Sequence, residues 1–304
     1  MRVTFLGTGG GVPTSKRNLL SIAVRRENEL LLFDVGEGTQ RQMIFAKVGC
    51  RRNMKVFITH MHGDHILGLP GLIQTMSMLN RGTSLDVYGP HGIVEFVDFI
   101  VNSFHFNLTF QINTHEVGEG TIYEDKDYSI CATWGDHVIP NLAYALVEKK
   151  RMGRFYLEKA LKLGVPKGPL WSRLQHGENV QLPDGRVIKS SEVTGPKRAG
   201  RKIVYSGDTK FSENIIKLAQ GADLLIHEAT LDDDYVERAS EEGHSTSSQA
   251  AMIAKKAGVK KLLLIHISAR YIDDVSIMVE QARKIFPETY VAEDLMSIEV
   301  PLKD

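Results

Sequence analysis

Apolar and polar positions alternate over short stretches at the start of this chain. That two-residue period predicts strands at Val3–Leu6, Ser21–Val24 and Leu30–Asp34, separated by Gly, Pro, Asn and charged residues. Thr39–Lys47 has helical spacing, and Lys55–Thr59 is a short apolar run ending at His60. Ile66–Leu79 reads as a helix with Pro70 and Gly71 near its start. Leu85–Tyr88 follows as a strand and Ile93–Val101 as a helix. The alternation resumes after residue 202. Strands are predicted at Ile203–Ser206, Asp223–His227 and Leu262–Ile265, and helices at Ser212–Leu218, Ser245–Ala257 and Asp274–Phe286. No internal repeat is visible, although the two halves have similar strand–helix content. Polar residues recur where predicted strands end, at His60, Asp208 and His266, and strand ends are where α/β proteins place active sites.

Residues 149–202 break this rhythm with dense Gly and Pro, and Arg154–Leu163 is the only short helical stretch suggested within them. Part of the segment is expected to leave the body as an arm, not to form a second core. Its charge is distinctive. The whole chain has a formal net charge of zero, yet residues 149–202 hold 14 Lys/Arg against 4 Asp/Glu. A basic segment on an acidic body fits a contact with a polyanion, and it equally fits a solvated loop that balances the body.

With 304 residues, 42% apolar and 24% charged, the chain is long enough to bury a core as one domain spanning 1–304. Cys50 and Cys131 have no paired spacing, the N-terminal apolar run is too short for a signal peptide, and no run of 18 apolar residues occurs. A cytoplasmic, reducing location is expected.

The strongest chemical signal is His60-Met61-His62-Gly63-Asp64-His65, which sets four ligand-type side chains within six residues after a buried strand. Imidazole and carboxylate are natural ligands for zinc and similar divalent ions, and Gly63 permits a tight backbone path. A lone histidine would be read as a surface residue; three with an aspartate at this spacing point to a metal site.

This HxHxDH string resembles the signature of the metallo-β-lactamase superfamily. The resemblance extends in order through Gly135-Asp136-His137, Ser206-Gly207-Asp208-Thr209 and Ile265-His266-Ile267. It implies an α/β chain of the metallo-β-lactamase fold, a four-layer αβ/βα sandwich, here with a protruding basic arm. It also implies two Zn2+ per subunit. His60, His62 and His137 would hold one ion, Asp64, His65 and His266 the other, and Asp208 both. A zinc pair lowers the pKa of bound water to roughly 7 and offsets charge on a phosphoryl oxygen. The metal motif alone therefore gives a hydrolase without a substrate. His91, His105, His115 and His176 have no such context and read as structural or surface residues.

Further motifs narrow the class. His227-Glu228-Ala229-Thr230 and His244-Ser245-Thr246 are similar to the HEAT and HST motifs of the ribonuclease Z family. By that resemblance His244 protonates the leaving ribose oxygen, Glu228 orients it, and Asp64 both binds metal and accepts the proton of the attacking water. Ser245 and Thr246 are also good caps for the helix that follows. Gly7-Thr8-Gly9-Gly10-Gly11 lacks the spacing of a phosphate-binding loop. The stretch after it, Pro13-Thr14-Ser15-Lys16-Arg17-Asn18, resembles the family's PxKxRN loop with the Lys one place late. Lys16, Arg17 and Asn18 are expected to contact RNA, as is Arg270 of Ser268-Ala269-Arg270-Tyr271.

The basic arm, placed at about 149–176, resembles the family's tRNA-gripping exosite. Lys149, Lys150, Arg151, Arg154, Lys159, Lys162, Lys167 and Arg173 are its phosphate-contact candidates as a group. The implied activity is removal of the 3′ trailer from precursor tRNA, with a 3′-hydroxyl left on the tRNA and a 5′-phosphate on the trailer. The implied assembly is a homodimer, with no membrane and no nucleotide cofactor. Two alternatives stand beside it: another hydrolase of the same fold, acting on small phosphodiesters or aryl sulfates, and a non-catalytic RNA-binding module with structural metals.

Overall fold

A computed structural model of the chain describes residues 1–50 and 53–303. Two seven-stranded sheets lie face to face. The first runs in the order Ser297–Glu299, Arg2–Gly7, Ser21–Arg26, Glu29–Phe33, Asn53–Phe57, Leu85–Gly89 and Ile112–Glu116. The second runs Thr289–Val291, Leu262–Ile265, Leu224–Glu228, Lys202–Tyr205, Leu142–Glu148, Tyr128–Trp134 and Gly120–Glu124.

Side-chain alternation explains the layering. Leu31 and Phe33 meet the opposite sheet, whereas Leu30 and Leu32 meet helices. In the second sheet Ile203 and Tyr205 face inward and Val204 outward. Strands covered on both faces need apolar residues at every position, which is why these runs are nearly continuous. Outside the first sheet lie the helices Thr39–Phe45, Leu69–Met78 and Ile93–Ser103. Leu69, Leu72, Ile73 and Met76 form one buried stripe at helical spacing. Outside the second lie Glu213–Ala219, Ser247–Ala257 and Ser276–Ile285, where Ala250, Ala251, Ala254 and Ala257 let the helix approach the sheet closely.

Each sheet contains a parallel block, from Glu29–Phe33 to Ile112–Glu116 and from Lys202–Tyr205 to Thr289–Val291. Parallel strands end together, so the loops that follow them share one rim of the sandwich. Asp34, His60, Asp208 and His266 all sit in those loops.

Several expectations needed revision. The predicted helix Ile66–Leu79 is two helices, Gly63–Ile66 and Leu69–Met78. Between them the Gly68 amide donates to Val35 O at 2.8 Å, and a β-carbon on Gly68 would lie 2.1 Å from Gly36 O. Leu142–Glu148 had not been read as a strand because a short run apolar on both faces carries no period. Ile112–Glu116 is a half-exposed edge strand with little apolar content.

The arm also differs from its prediction. It has a small core of its own: Ala160, Val165, Leu174, Val180, Leu182, Ile188 and Val193 are buried together. Around them lie the helices Leu157–Lys162 and Pro169–Gln175, a hairpin of Val180–Gln181 with Val187–Ile188, and the helix Ser190–Val193. The folded unit thus continues past residue 176 to a neck where Arg151 and Arg198 exchange backbone hydrogen bonds of 2.8 and 2.9 Å. Its apolar residues come singly among Gly and Pro, so no periodic run announced them. Among the described residues, no helix is long and apolar enough to cross a membrane.

The closed neck predicts that Met152–Lys197 can be replaced by a tight turn without unfolding the body. Circular dichroism and thermal melting should show an intact α/β fold, and a molten spectrum would contradict an independent arm.

Candidate metal centre

Loops from both sheets bring the seven predicted ligand side chains to one point on the shared rim. In one group, His60 Nε2 and His62 Nδ1 are 3.1 Å apart, and His137 Nε2 is 3.3 Å from His62 Nδ1. In the other, Asp64 Oδ2 lies 3.5 Å from His65 Nε2 and 3.3 Å from His266 Nε2. Asp208 Oδ2 stands between the groups, 3.7 Å from His60 Nε2, 3.3 Å from His65 Nε2 and 3.2 Å from His266 Nε2.

These spacings fit a metal. Nitrogen or oxygen ligands bonded at 2.0–2.1 Å in a tetrahedron stand about 3.3 Å from one another. Two atoms point the same way: His65 Nε2 and Asp208 Oδ1 are buried without a hydrogen-bond partner. An orphaned lone pair of this kind is costly unless a cation answers it.

The rings are aimed from behind. His137 Nδ1 donates to Gly243 O at 2.7 Å, and His65 Nδ1 to Asp34 Oδ2 at 2.7 Å. Thr59 Oγ1 donates to Asp34 and so accepts from His60 Nδ1 at 2.9 Å. A ring whose Nδ1 carries the proton turns the Nε2 lone pair toward the centre. Protonation states agree for His60, His62, His137 and the two carboxylates, but not for His65. Burial, with neighbouring imidazoles, holds His60 well below the usual histidine range, and burial also lowers His62 and His137, leaving neutral rings. Burial opposes the charge on Asp64 and Asp208, but the surrounding histidines outweigh it and keep both carboxyls below the ordinary range. His65, despite complete burial, is raised by Asp208 and Asp34.

The glycine run has a structural role. A β-carbon on Gly10 would lie 2.4 Å from the His266 ring, and the Gly11 amide donates to Asp64 Oδ2 at 2.8 Å. His266 itself adopts a left-handed backbone, φ 58, as does Asp34 at φ 54, a conformation uncommon outside glycine.

Comparison with known proteins gives this centre its family. Residues 171–267 match a family described as a beta-lactamase superfamily domain, and residues 1–97 match that of the anti-Pycsar protein Apyc1. The chain is 47% identical to ribonuclease Z of Methanosarcina acetivorans, over all of this chain and 99% of the relative. It is 49% identical to ribonuclease Z of Methanothermobacter thermautotrophicus, over all of this chain and 98% of that one. The chain belongs to the ribonuclease Z family. The crystal structure of human tRNase Z, short form, superposes with a TM-score of 0.73 at 31% identity, over 99% of this chain and all of that one. The metallo-β-lactamase fold follows, and the chain is an enzyme of the metal-dependent, phosphodiester-hydrolysing endoribonuclease class.

The acid pair named from the ribonuclease Z motifs lies beside the metal ligands. His244 Nδ1 is 3.0 Å from Glu228 Oε1 and 4.0 Å from Asp208 Oδ2. Glu228 is fully buried. Its Oε1 also accepts the Thr209 and Ser245 amides, and its Oε2 the Thr230 amide and hydroxyl. Burial pulls the His244 imidazolium down, but the Glu228 carboxylate more than offsets it, and the group is pushed up to about 9. Thr246 caps the helix Ser247–Ala257 through Gln249, so the cap and His244 lie two residues apart in one loop.

The expected RNA contacts divide. Arg17 is buried, and its guanidinium donates to Thr8 Oγ1 at 2.6 Å and Ala292 O at 2.7 Å. Asn18 ties Glu37 O to its own loop, and its amide donates to Asp294. Both residues brace the loop, and the Arg17 guanidinium is engaged within the protein. Its surroundings form a polar seat built from distant sequence, which a local motif could not reveal. Lys16 is exposed and pairs with Asp273 at 3.2 Å, and Arg270 is exposed with its guanidinium stacked 4.1 Å over the Tyr235 ring. In the arm, Lys150, Arg154, Lys159, Lys162 and Lys167 are exposed. Lys149 pairs with Glu124 and Arg173 with Glu178, whereas Arg151 bonds Lys303 O and is held at the neck.

Sequence reasoning missed Asp34, Thr59 and Thr230. Asp34 ends a predicted strand, close to the strand-end placement of His60 and Asp208, and that position was the available signal.

Gly10→Ala should push the His266 ring aside, and Asp34→Ala should free His65 to rotate. Each is expected to weaken metal binding by roughly 10–100-fold, measured by chelator competition on the metal-free protein. Wild-type affinity in both would contradict this account of how the rings are held.

Proposed function

We propose that this enzyme removes the 3′ trailer from precursor tRNA, using two Zn2+ per subunit. The reading is carried by the convergence of two ligand groups on a shared Asp208, with His244 and Glu228 alongside. His60, His62 and His137 would hold one ion, Asp64, His65 and His266 the second, and Asp208 both. When bound, the pair supplies an ionised water at neutral pH and offsets charge on the phosphoryl oxygens.

The chain's own groups do the rest. Asp64 accepts the proton of the attacking water. His244, protonated and held by Glu228, gives a proton to the departing ribose oxygen. The bond between phosphorus and that oxygen breaks, which leaves a 3′-hydroxyl on the tRNA and a 5′-phosphate on the trailer. The exposed cations of the arm grip tRNA phosphates away from the cut. We further assign a homodimer. Ile44, Phe45, Leu67 and Met78 are 54–77% exposed in the outer layer over the first sheet, apolar surface that a second copy could cover. The cytoplasm is the compartment this reading requires.

Two measurements check it. Incubation with a 3′-extended pre-tRNA should release an intact trailer with a 5′-phosphate; cleavage of small phosphodiesters alone would favour a different substrate. Lys162→Ala with Lys167→Ala should raise KM for pre-tRNA and flatten its salt dependence, while hydrolysis of a small phosphodiester stays unchanged.

The pH profile tests the acid. His244 acts only while protonated, and its folded pKa is raised, so kcat should fall as pH rises through the alkaline limb. Glu228→Gln removes the charge that raises it and should move this limb to lower pH. A limb that does not move would contradict the pairing.

A further inference from the structure

The Thr230 side chain touches both halves of the centre at once. Its hydroxyl donates to Glu228 Oε2 at 2.8 Å. It also lies 2.7 Å from His266 Nδ1. A hydroxyl has one proton to give. With that proton on Glu228, the oxygen can only accept from His266, so Nδ1 carries the hydrogen and Nε2 faces Asp64 and Asp208 with its lone pair free. The Thr230 backbone amide donates to the same Oε2 at 3.0 Å, and Thr230 O accepts the Ser268 amide at 3.2 Å, two residues beyond His266. Thr230 is therefore fixed to both loops through its main chain, and its hydroxyl has no freedom to choose other partners.

We propose that Thr230 is a positioning residue that couples the acid pair to the metal centre. One hydroxyl sets the tautomer and tilt of His266 and holds the Glu228 carboxylate in the plane that presents Oε1 to His244. A valine at this position has a similar shape but neither accepts nor donates. Its loss leaves a buried imidazole N–H unanswered and takes one donor from Glu228. The opposite half uses the same device, because Thr59 accepts from His60 while donating to Asp34. The Thr230 hydroxyl contacts both the ligand His266 and Glu228, and that shared contact is what makes its effect twofold.

This assignment rests on the roles proposed above for His266 and Glu228, and the experiment separates the two claims. Zinc affinity of the metal-free protein is measured by chelator competition, and kcat and KM for pre-tRNA are measured at saturating zinc. Thr230→Val is expected to weaken zinc binding roughly 10–100-fold and to lower kcat further at saturating zinc, with KM unchanged. Thr230→Ser is expected to restore both. In a Glu228→Gln background, Thr230→Val should still weaken zinc binding but lower kcat no further, since the carboxylate it orients is gone. Melting of the metal-free protein confirms that Thr230→Val is folded, and Thr230→Ala replaces it in every arm if it is not. Wild-type zinc affinity in the folded variant, or failure of serine to restore it, overturns the coupling while the functional reading stands. A wild-type protein that binds no zinc overturns both.

Discussion

Five imidazoles and two carboxylates cannot be crowded to within a few ångströms unless something positive lies between them. Their lone pairs point at one another, and burial removes the water that would otherwise solvate them. The rest of the structure can be understood as the means of enforcing that crowding. Every ring with an identified rear contact is held by a carbonyl, a carboxylate or a threonine hydroxyl, and two facing atoms are left with no hydrogen-bond partner. A polar cluster of this kind is unfavourable as an end in itself and favourable as a cradle for cations.

The sandwich supplies the rigidity this requires. Two parallel blocks end at a common rim, so short loops from opposite sheets reach the same point without long, mobile excursions. The backbone is strained there, at Asp34 and His266, and glycine is needed where Gly10 lies flat against the His266 ring. Strain and close approach at the rim are tolerated because the strands beneath are buried on both faces. The arm answers a different need. It has its own small core and a closed neck, and it carries exposed Lys and Arg side chains without disturbing the sheets.

Much of this was legible in the sequence for identifiable reasons. HxHxDH is a local string, and Asp208 and His266 each follow a strand whose apolar run could be read. The helix cap and His244 in His244-Ser245-Thr246 are local as well. What stayed hidden was relational. Thr59 and Thr230 look like ordinary strand-end residues until the rings they hold are placed beside them. The bracing of Arg17 and Asn18 was equally hidden, because residues 292 and 294 fold back from distant sequence to enclose their loop. The core of the arm was missed because single apolar residues among Gly and Pro leave no period, and Leu142–Glu148 because a strand apolar on both faces has none.

The central claim is that this rim holds a pair of metal ions between its two ligand groups. Anomalous diffraction at the zinc edge, from crystals of the zinc-loaded protein, tests it directly. The account predicts two peaks about 3.5–4 Å apart, one among His60, His62 and His137, the other among Asp64, His65 and His266, with Asp208 between them. A single peak, or peaks away from these side chains, would contradict it.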